Sequence, residues 1–387
     1  MIVAYFLVAT GASASFPFVT LFLVQVIDAP PLSASLFFLS ALPGPLLTVA
    51  TGRLSDTIGE RLTLARIAMF WVSCGWIAMA LANSLSLALA ISVIFLNLIG
   101  TIGAQLVVIY RITLDESGAG SVGSSTGMFR SAYSAGYVVG PIIGAAVASI
   151  GGLRIALGAA GVLFGLAALV VGGQRLPSLR HPYSDMNSSP KRQWIAPWVV
   201  SVLAFSVLTS IVMAGDGMKL TLLPLYVVTD LHLPIAALGS LFTASALIEL
   251  AAMPLVGWVT DKVGLKAAAA AGFMVGTLDY GLLSISDRLW QLYLVQIIHT
   301  LVLGVLFTTG PLIVQRLAAR SAIGYATSIY LSGQSVALPL GSAGAAFALV
   351  ILGLPHAFIV PAAACAFSAI TLSRLRIPLV SPAEQPH

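Results

Sequence analysis

The chain has 387 residues, 59% of them hydrophobic and only 8% charged, with a mean hydropathy of +1.02. Soluble domains carry roughly 25% charged residues, so the composition excludes a soluble globular fold and describes an all-α integral membrane protein. The net charge of +5 does not mark a nucleic-acid binder, because the basic residues are scattered through short loops between apolar stretches.

Hydropathy and loop punctuation predict twelve membrane-spanning helices, at 2–27, 33–52, 62–82, 85–108, 122–149, 153–174, 195–228, 235–257, 266–285, 289–314, 322–350 and 352–373. Most match or exceed the length needed to cross a hydrocarbon layer of about 30 Å. The first apolar run outlasts the apolar region of a signal peptide and is read as a retained span. The longest connection, "RLPSLRHPYSDMNSSPKRQW" at 175–194, is polar, basic and proline-punctuated. It divides the chain into a six-helix bundle at 1–174, a linker at 175–194, and a second bundle at 195–387 that ends in a short tail.

Loop charge sets the expected orientation. Fourteen Lys and Arg residues fall in the even-numbered loops and the C-terminal tail, against Arg154 and Arg288 in the odd-numbered loops. By the positive-inside rule both termini and the linker face the cytoplasm. Cys74 and Cys365 lie in separate apolar spans with no companion at ligand spacing, so neither a disulfide framework nor a metal site is expected.

The two halves are related by sequence. At an offset of 205, "GRLSDTIGERL" (52–62) overlays "GWVTDKVGLKA" (257–267), matching Gly52 with Gly257, Asp56 with Asp261, Gly59 with Gly264 and Arg61 with Lys266. Parallel repeats about an axis along the membrane normal are expected from such a match. Gly59 is expected to supply a turn of positive φ, and Asp56 to accept hydrogen bonds from a helix N-terminus or an arginine.

On these residues the chain resembles the major facilitator superfamily, whose loop between spans two and three is similar to Gly-x-x-x-Asp-x-x-Gly-x-Arg. The resemblance implies two pseudo-symmetric six-helix bundles and alternating access, with both loop copies gating the cytoplasmic side. It also implies that one subunit suffices. In span five, "TGMFRSAYSAGYVVGPIIGA" (126–145) holds Gly127, Gly136, Gly140, Pro141 and Gly144. Their spacing is similar to the fifth-span motif of proton-coupled antiporters, except that Ala145 stands where a final glycine is usual. Small residues let helices approach, and Pro141 removes one helical hydrogen bond.

Arg130 in the same stretch costs about 2.5–3.5 kcal/mol at a helix centre and needs a partner. Glu249 in span eight is the expected one: each is about 12 Å from its cytoplasmic helix end at 1.5 Å per residue, and the resemblance implies that spans five and eight face each other. Protonation of Glu249 would then open a gate; the alternative is a static ion pair that only fixes helix register. Asp216 and Lys219, three apart in span seven, share a face beside Gly215, Gly217 and Pro224, which suggest a broken outer half lining a cavity. Asp279 is expected at the periphery. Asn97, Gln105, Tyr137, Lys219, His299, Tyr330 and Gln334 are the candidate substrate-binding residues, each equally suited to joining helices.

The closest subfamily resemblance is to bacterial sugar efflux transporters, carried by "FPFVTLFL", "MFRSAYSAGYVVGP" and "LIELAAMPLVGWVTDKVG". The chain departs from that pattern at Gly215-Asp216, where an Asn-Arg pair is usual. The expected function is proton-coupled export of sugars or sugar-like molecules across a bacterial inner membrane, the alternative being a proton-coupled multidrug or metabolite antiporter. No clustered catalytic residues and no phosphate-binding loop are present, so neither an enzyme nor a cofactor is expected, and an ion gradient supplies the energy.

Overall fold

Inside a hydrocarbon layer every backbone amide must find its partner within the protein, which leaves helices or closed barrels. The computed structural model describes residues 1–58, 60–117, 122–172, 197–318 and 322–375, and among them every regular element is helical. The linker at 175–194, Gly59 and the side chain of Asp56 lie outside the described residues.

Among the described residues ten helical stretches are long and apolar enough to cross a membrane. One of them, Met128–Gly172, covers 45 residues, about twice the length of a single crossing. Gly152 inside it has φ 83, a backbone state that glycine alone adopts freely, so two expected spans are joined there almost without a loop. The remaining expected span is α10 (Leu265–Leu283), which carries Lys266 and Asp279.

The chain forms two compact units. The first comprises Met1–Met186 together with Val227–Thr243. Its helices are α1 (Ile2–Leu21), α2 (Leu32–Leu39), α3 (Gly44–Ile58), α4 (Arg61–Leu81), α5 (Leu85–Phe95), α6 (Ile99–Ser117) and α7 (Val122–Gly172). The second comprises Asn187–Tyr226 and Ala244–His387. It holds α8 (Pro197–Leu225), α10, α11 (Leu289–Gly304), α12 (Gly310–Leu317), α13 (Ile323–Leu352) and α14 (Ile359–Arg374). Helix α9 (Ile235–Val263) begins in the first unit and ends in the second.

Three spans differ from expectation in their interiors. The second is two helices, α2 and α3, because Pro43 cannot continue the hydrogen-bond ladder. The fourth has a 3₁₀ turn at Leu96–Leu98, and the tenth has a π-helical turn at Val305–Thr309 before Pro311 opens α12. Helix α9 runs past Gly257 and Asp261, which places both in a helix. Gly264, at φ 87, then makes the turn into α10.

The internal repeat appears in the backbone as well as in the sequence. Helices α1 and α8 each end in a π-helical turn, Phe22–Val26 and Tyr226–Asp230. Each turn is followed by a left-handed residue, Asp28 at φ 58 and His232 at φ 55. Each is closed by the same bond, Ala29 N to Leu23 O and Leu233 N to Val227 O, both at 3.0 Å. Residues other than glycine uncommonly adopt positive φ, so two such turns at matching places mark one duplicated unit.

Within the first unit α1 and α4 pack on α7; within the second α8 packs on α13 and α10 on α11 and α14. Large apolar side chains such as Leu46, Leu169 and Phe347 point outward, more than 70% exposed, as a lipid-facing surface requires. Ser84 caps α5 by accepting from Leu87 N, and Gln291 caps α11 by accepting from the amides of Asp287 and Arg288.

Arg154 closes the other end of a helix. Its guanidinium donates to Ala80 O at 2.7 Å, Ala82 O at 2.9 Å and Asn83 Oδ1 at 2.8 Å, and lies 5.6 Å from the Phe22 ring centroid. It thus occupies carbonyls at the end of α4 that have no helical partner. Arg154→Ala is expected to cost about 2–3 kcal/mol, the scale of hydrogen bonds from a charged donor. Scanning fluorimetry in detergent checks this, and Arg154→Lys, lacking the planar fork, should recover only part.

Candidate functional site

Two clusters of polar and aromatic side chains lie inside the bundles, one in each unit. In the second unit, glycines bring helices close enough for charged groups to meet. A Cβ at Gly215 would lie 2.9 Å from the Tyr280 ring, and one at Gly217 only 2.1 Å from Leu338 O. Helix α8 is therefore wedged against α10 on one side and α13 on the other, and it continues unbroken to Leu225. The expected break at Gly215 and Gly217 does not occur; these glycines serve close approach.

Asp216 sits between them. Its Oδ1 is 3.1 Å from His299 Nε2, while His299 Nδ1 is 2.7 Å from Asp279 Oδ2. One imidazole on α11 thus bridges a carboxylate on α8 and another on α10. The side chain of Asp279 is fully buried and that of His299 is 4% exposed, whereas that of Asp216 is 26% exposed. Lys219, one turn along α8, is buried and donates to Gln296 Oε1 at 2.7 Å. The Tyr280 ring meets the imidazole edge-on with centroids 6.0 Å apart. Glu249, half-buried on α9, is within electrostatic reach of His299 and Asp216.

Asp279 was expected at the periphery and lies at the centre of this network. Its sequence signal was the row Gly272, Gly276, Asp279 on one face of α10. Gly272 is pressed against Val305 and Gly276 against Cys365, and a face of small residues is a buried face.

The first unit is assembled on the span-five glycines. A Cβ at Gly136 would meet Phe6 O at 2.5 Å, one at Gly140 the Ser13 Oγ at 1.9 Å, and one at Gly144 the Ala14 O at 2.5 Å. Ser13 Oγ donates across the helix pair to Gly136 O at 3.2 Å. The first turns of α9 approach the neighbouring face of α7, where Thr243 Oγ1 donates to Val138 O at 3.0 Å.

Around Arg130 the rings of Tyr5, Tyr110, Phe129, Tyr133 and Tyr137 form a chain. Phe129 is stacked between Tyr5 and Tyr110, each 4.2 Å away, Tyr5 lies 4.6 Å from Tyr133, and Tyr133 lies 5.1 Å from Tyr137. Phe129, Tyr133 and Tyr137 recur every four residues along one face of α7. Arg130 and Tyr137 are exposed at this surface. Of these rings, sequence reasoning singled out Tyr137 alone, since aromatic stacking between α1, α6 and α7 leaves no spacing signal.

The other predicted residues have varied surroundings. Asn97 uses its amide nitrogen to hold the carbonyls of Ser40, Ser92 and Val93, and Gln105 accepts from Ser55. Tyr330 is fully buried and donates to Leu306 O. Gln334 differs: it is 5% exposed, and neither atom of its amide has a hydrogen-bond partner among the described residues. Lys266 donates to Ser373 O at 3.0 Å and Leu375 O at 2.7 Å, closing the end of α14. Arg130 belongs to the first unit and Glu249 to the second.

Comparison with known proteins accords with this architecture. The sequence profile of the Major Facilitator Superfamily matches residues 1–211 and again residues 205–386. The chain is 25% identical over 376 residues to sugar efflux transporter A of Dickeya chrysanthemi, covering 97% of this chain and 94% of the relative. It is 22% identical to sugar efflux transporter C of Escherichia coli strain K12, covering 86% and 84%. Among solved structures it is similar to the nucleoside transporter NupG, with a TM-score of 0.80, 12% identity, and coverage of 97% of this chain and 98% of that one.

Proposed function

Since the chain belongs to the Major Facilitator Superfamily, and is a transporter and not an enzyme, we propose that it exports sugars or sugar-like small molecules in exchange for protons. It would do so by alternating access, as a monomer in a bacterial inner membrane with both termini in the cytoplasm. The observation that carries the substrate class is similarity over nearly the whole chain to a sugar efflux transporter. Proton coupling draws support from ionisable groups buried where charge is expensive, which in a membrane marks a functional path.

The chemistry suits a sugar on two counts. The unpartnered amide of Gln334 offers a donor and an acceptor to a hydroxyl pair, and the exposed Tyr137 ring offers an apolar surface. In this reading Arg130 and Glu249, with the helix ends that carry Asp56 and Asp261, gate the cytoplasmic side. The rings of Tyr133 and Tyr137, tilted against one another with centroids 5.1 Å apart, also suit a cationic aromatic drug, which is the second reading.

Proteoliposomes enclosing a pH dye, offered sugars and cationic drugs in turn, test the proposal. Sugar-dependent proton movement is expected, and a response to cationic drugs alone would replace the sugar reading with the second. Gln334→Leu is expected to raise the transport KM for sugar about tenfold, the loss of one buried hydrogen-bond pair, with the maximal rate little changed. Labelled-sugar uptake across a concentration series checks this.

A further inference from the structure

We propose that His299 is the proton carrier of this transporter, with Asp279 as its fixed anchor and Asp216 as its outlet to water. The proposal rests on the reading of the chain as a proton-coupled sugar exporter and assigns the coupling to a definite group.

The geometry is that of a doubly donating ring. A neutral imidazole has one N–H and serves one carboxylate, whereas an imidazolium serves two. His299 faces carboxylate oxygens from both nitrogens, at 2.7 Å and 3.1 Å. The charges agree: Asp216, Asp279, Lys219 and a protonated His299 sum to zero. Loss of the proton leaves one uncompensated negative charge in a place where the Asp279 side chain has no exposed surface and its Oδ1 has no hydrogen-bond partner among the described residues. Uncompensated buried charge is costly, so the loaded and unloaded clusters stabilise different arrangements of α8, α10 and α11.

The charged and titratable groups around His299 come from five helices. Helix α8 presents Asp216 and Lys219, α10 presents Asp279 and Tyr280, α11 itself presents Gln296 one turn away, and α9 presents Glu249. Helix α14 places Cys365 against Gly276, close to Asp279. Lys219 is the one permanent cation among these described groups.

Exposure gives the step a direction. The Nε2–H bond breaks with its electron pair left on nitrogen, and the proton passes to Asp216 Oδ1 and then to water, because Asp216 is the member with 26% of its side chain exposed. The neutral ring keeps Nδ1–H on Asp279. Reloading is the reverse, with the cluster returning from one negative charge to zero. Exchange follows when sugar binds the unloaded and loaded arrangements unequally.

The test uses the full chain in proteoliposomes, with glucose, lactose and methyl glucoside as probes and two readouts: counterflow of labelled sugar without a pH gradient, and sugar-driven proton flux. His299→Gln is expected to retain counterflow and to lose proton flux at least tenfold. Asp216→Asn should slow proton flux with counterflow kept, and it carries the test if His299→Gln proves aggregated by size exclusion. Wild-type protein that moves no sugar in either readout overturns the sugar reading. Wild-type coupling that persists in both variants overturns the His299 assignment alone. Loss of counterflow together with proton flux in well-folded variants also overturns it, because the cluster would then bind sugar.

Discussion

Gly140→Leu is expected to prevent the first unit from assembling. A Cβ at this position would already lie 1.9 Å from Ser13 Oγ and 2.6 Å from Thr10 O, with Ala14 N at 3.0 Å. Two of those three atoms belong to the backbone of α1, which cannot rotate away as a side chain can. The helices would have to separate, which would break the Ser13 to Gly136 hydrogen bond and the glycine contacts one turn to either side. In lipid no hydrophobic force restores such an interface, which is held by close packing and interhelical bonds. Overpacking costs about 1–3 kcal/mol in ordinary cores, and backbone obstruction puts this site at or beyond the upper end. The check is the yield of monodisperse protein and its unfolding temperature, with Gly103→Ala as a control because a Cβ there would meet no packing neighbour within 4 Å among the described residues. A leucine variant that purifies and unfolds like the wild type would refute the packing account.

Lys219→Met is expected to abolish sugar-driven proton exchange, with a fall of roughly 100-fold or more. The lysine is 3% exposed and faces a cluster holding two carboxylates and one histidine. Removing one partner from a buried charge group costs about 3–5 kcal/mol, and each 1.4 kcal/mol is a factor of ten. The cluster would be left one positive charge short even with His299 protonated, so release of that proton would become harder still. The double variant Lys219→Met/Asp216→Asn restores neutrality with His299 protonated and should recover most of the lost thermal stability. It should not recover exchange, because the outlet carboxylate is gone. Proton flux and unfolding temperature, measured on the same preparations, separate the two effects. A single variant that still exchanges protons at the wild-type rate would show that Lys219 does not balance the cluster.

The local features were legible because each is written in a short window. Apolar runs of crossing length and loop prolines placed the helices to within a few residues, although the joined fifth and sixth spans required Gly152 to be seen at its positive φ. The repeat was visible in the paired Gly-Asp-Gly loops, and the backbone adds the twin turns at Asp28 and His232. The span-five glycines also announced themselves by spacing, but what they press against, Phe6, Thr10, Ser13 and Ala14 of α1, lies more than a hundred residues away.

Sequence by itself determined that this is a helical membrane protein built from a duplicated bundle, since hydropathy, charge placement and internal similarity are properties of the chain alone. Tertiary structure decided which polar groups belong together. His299 meets Asp279 across 20 residues and Asp216 across 83, and Tyr5 stacks on Phe129 from a different helix. Such meetings depend on the rotation of each helix about its axis, set by which small residues let neighbours approach. A buried carboxylate such as Asp279 therefore reads in sequence as one acid in an apolar span. The packing of α8, α10 and α11 makes it the anchor of a charge cluster.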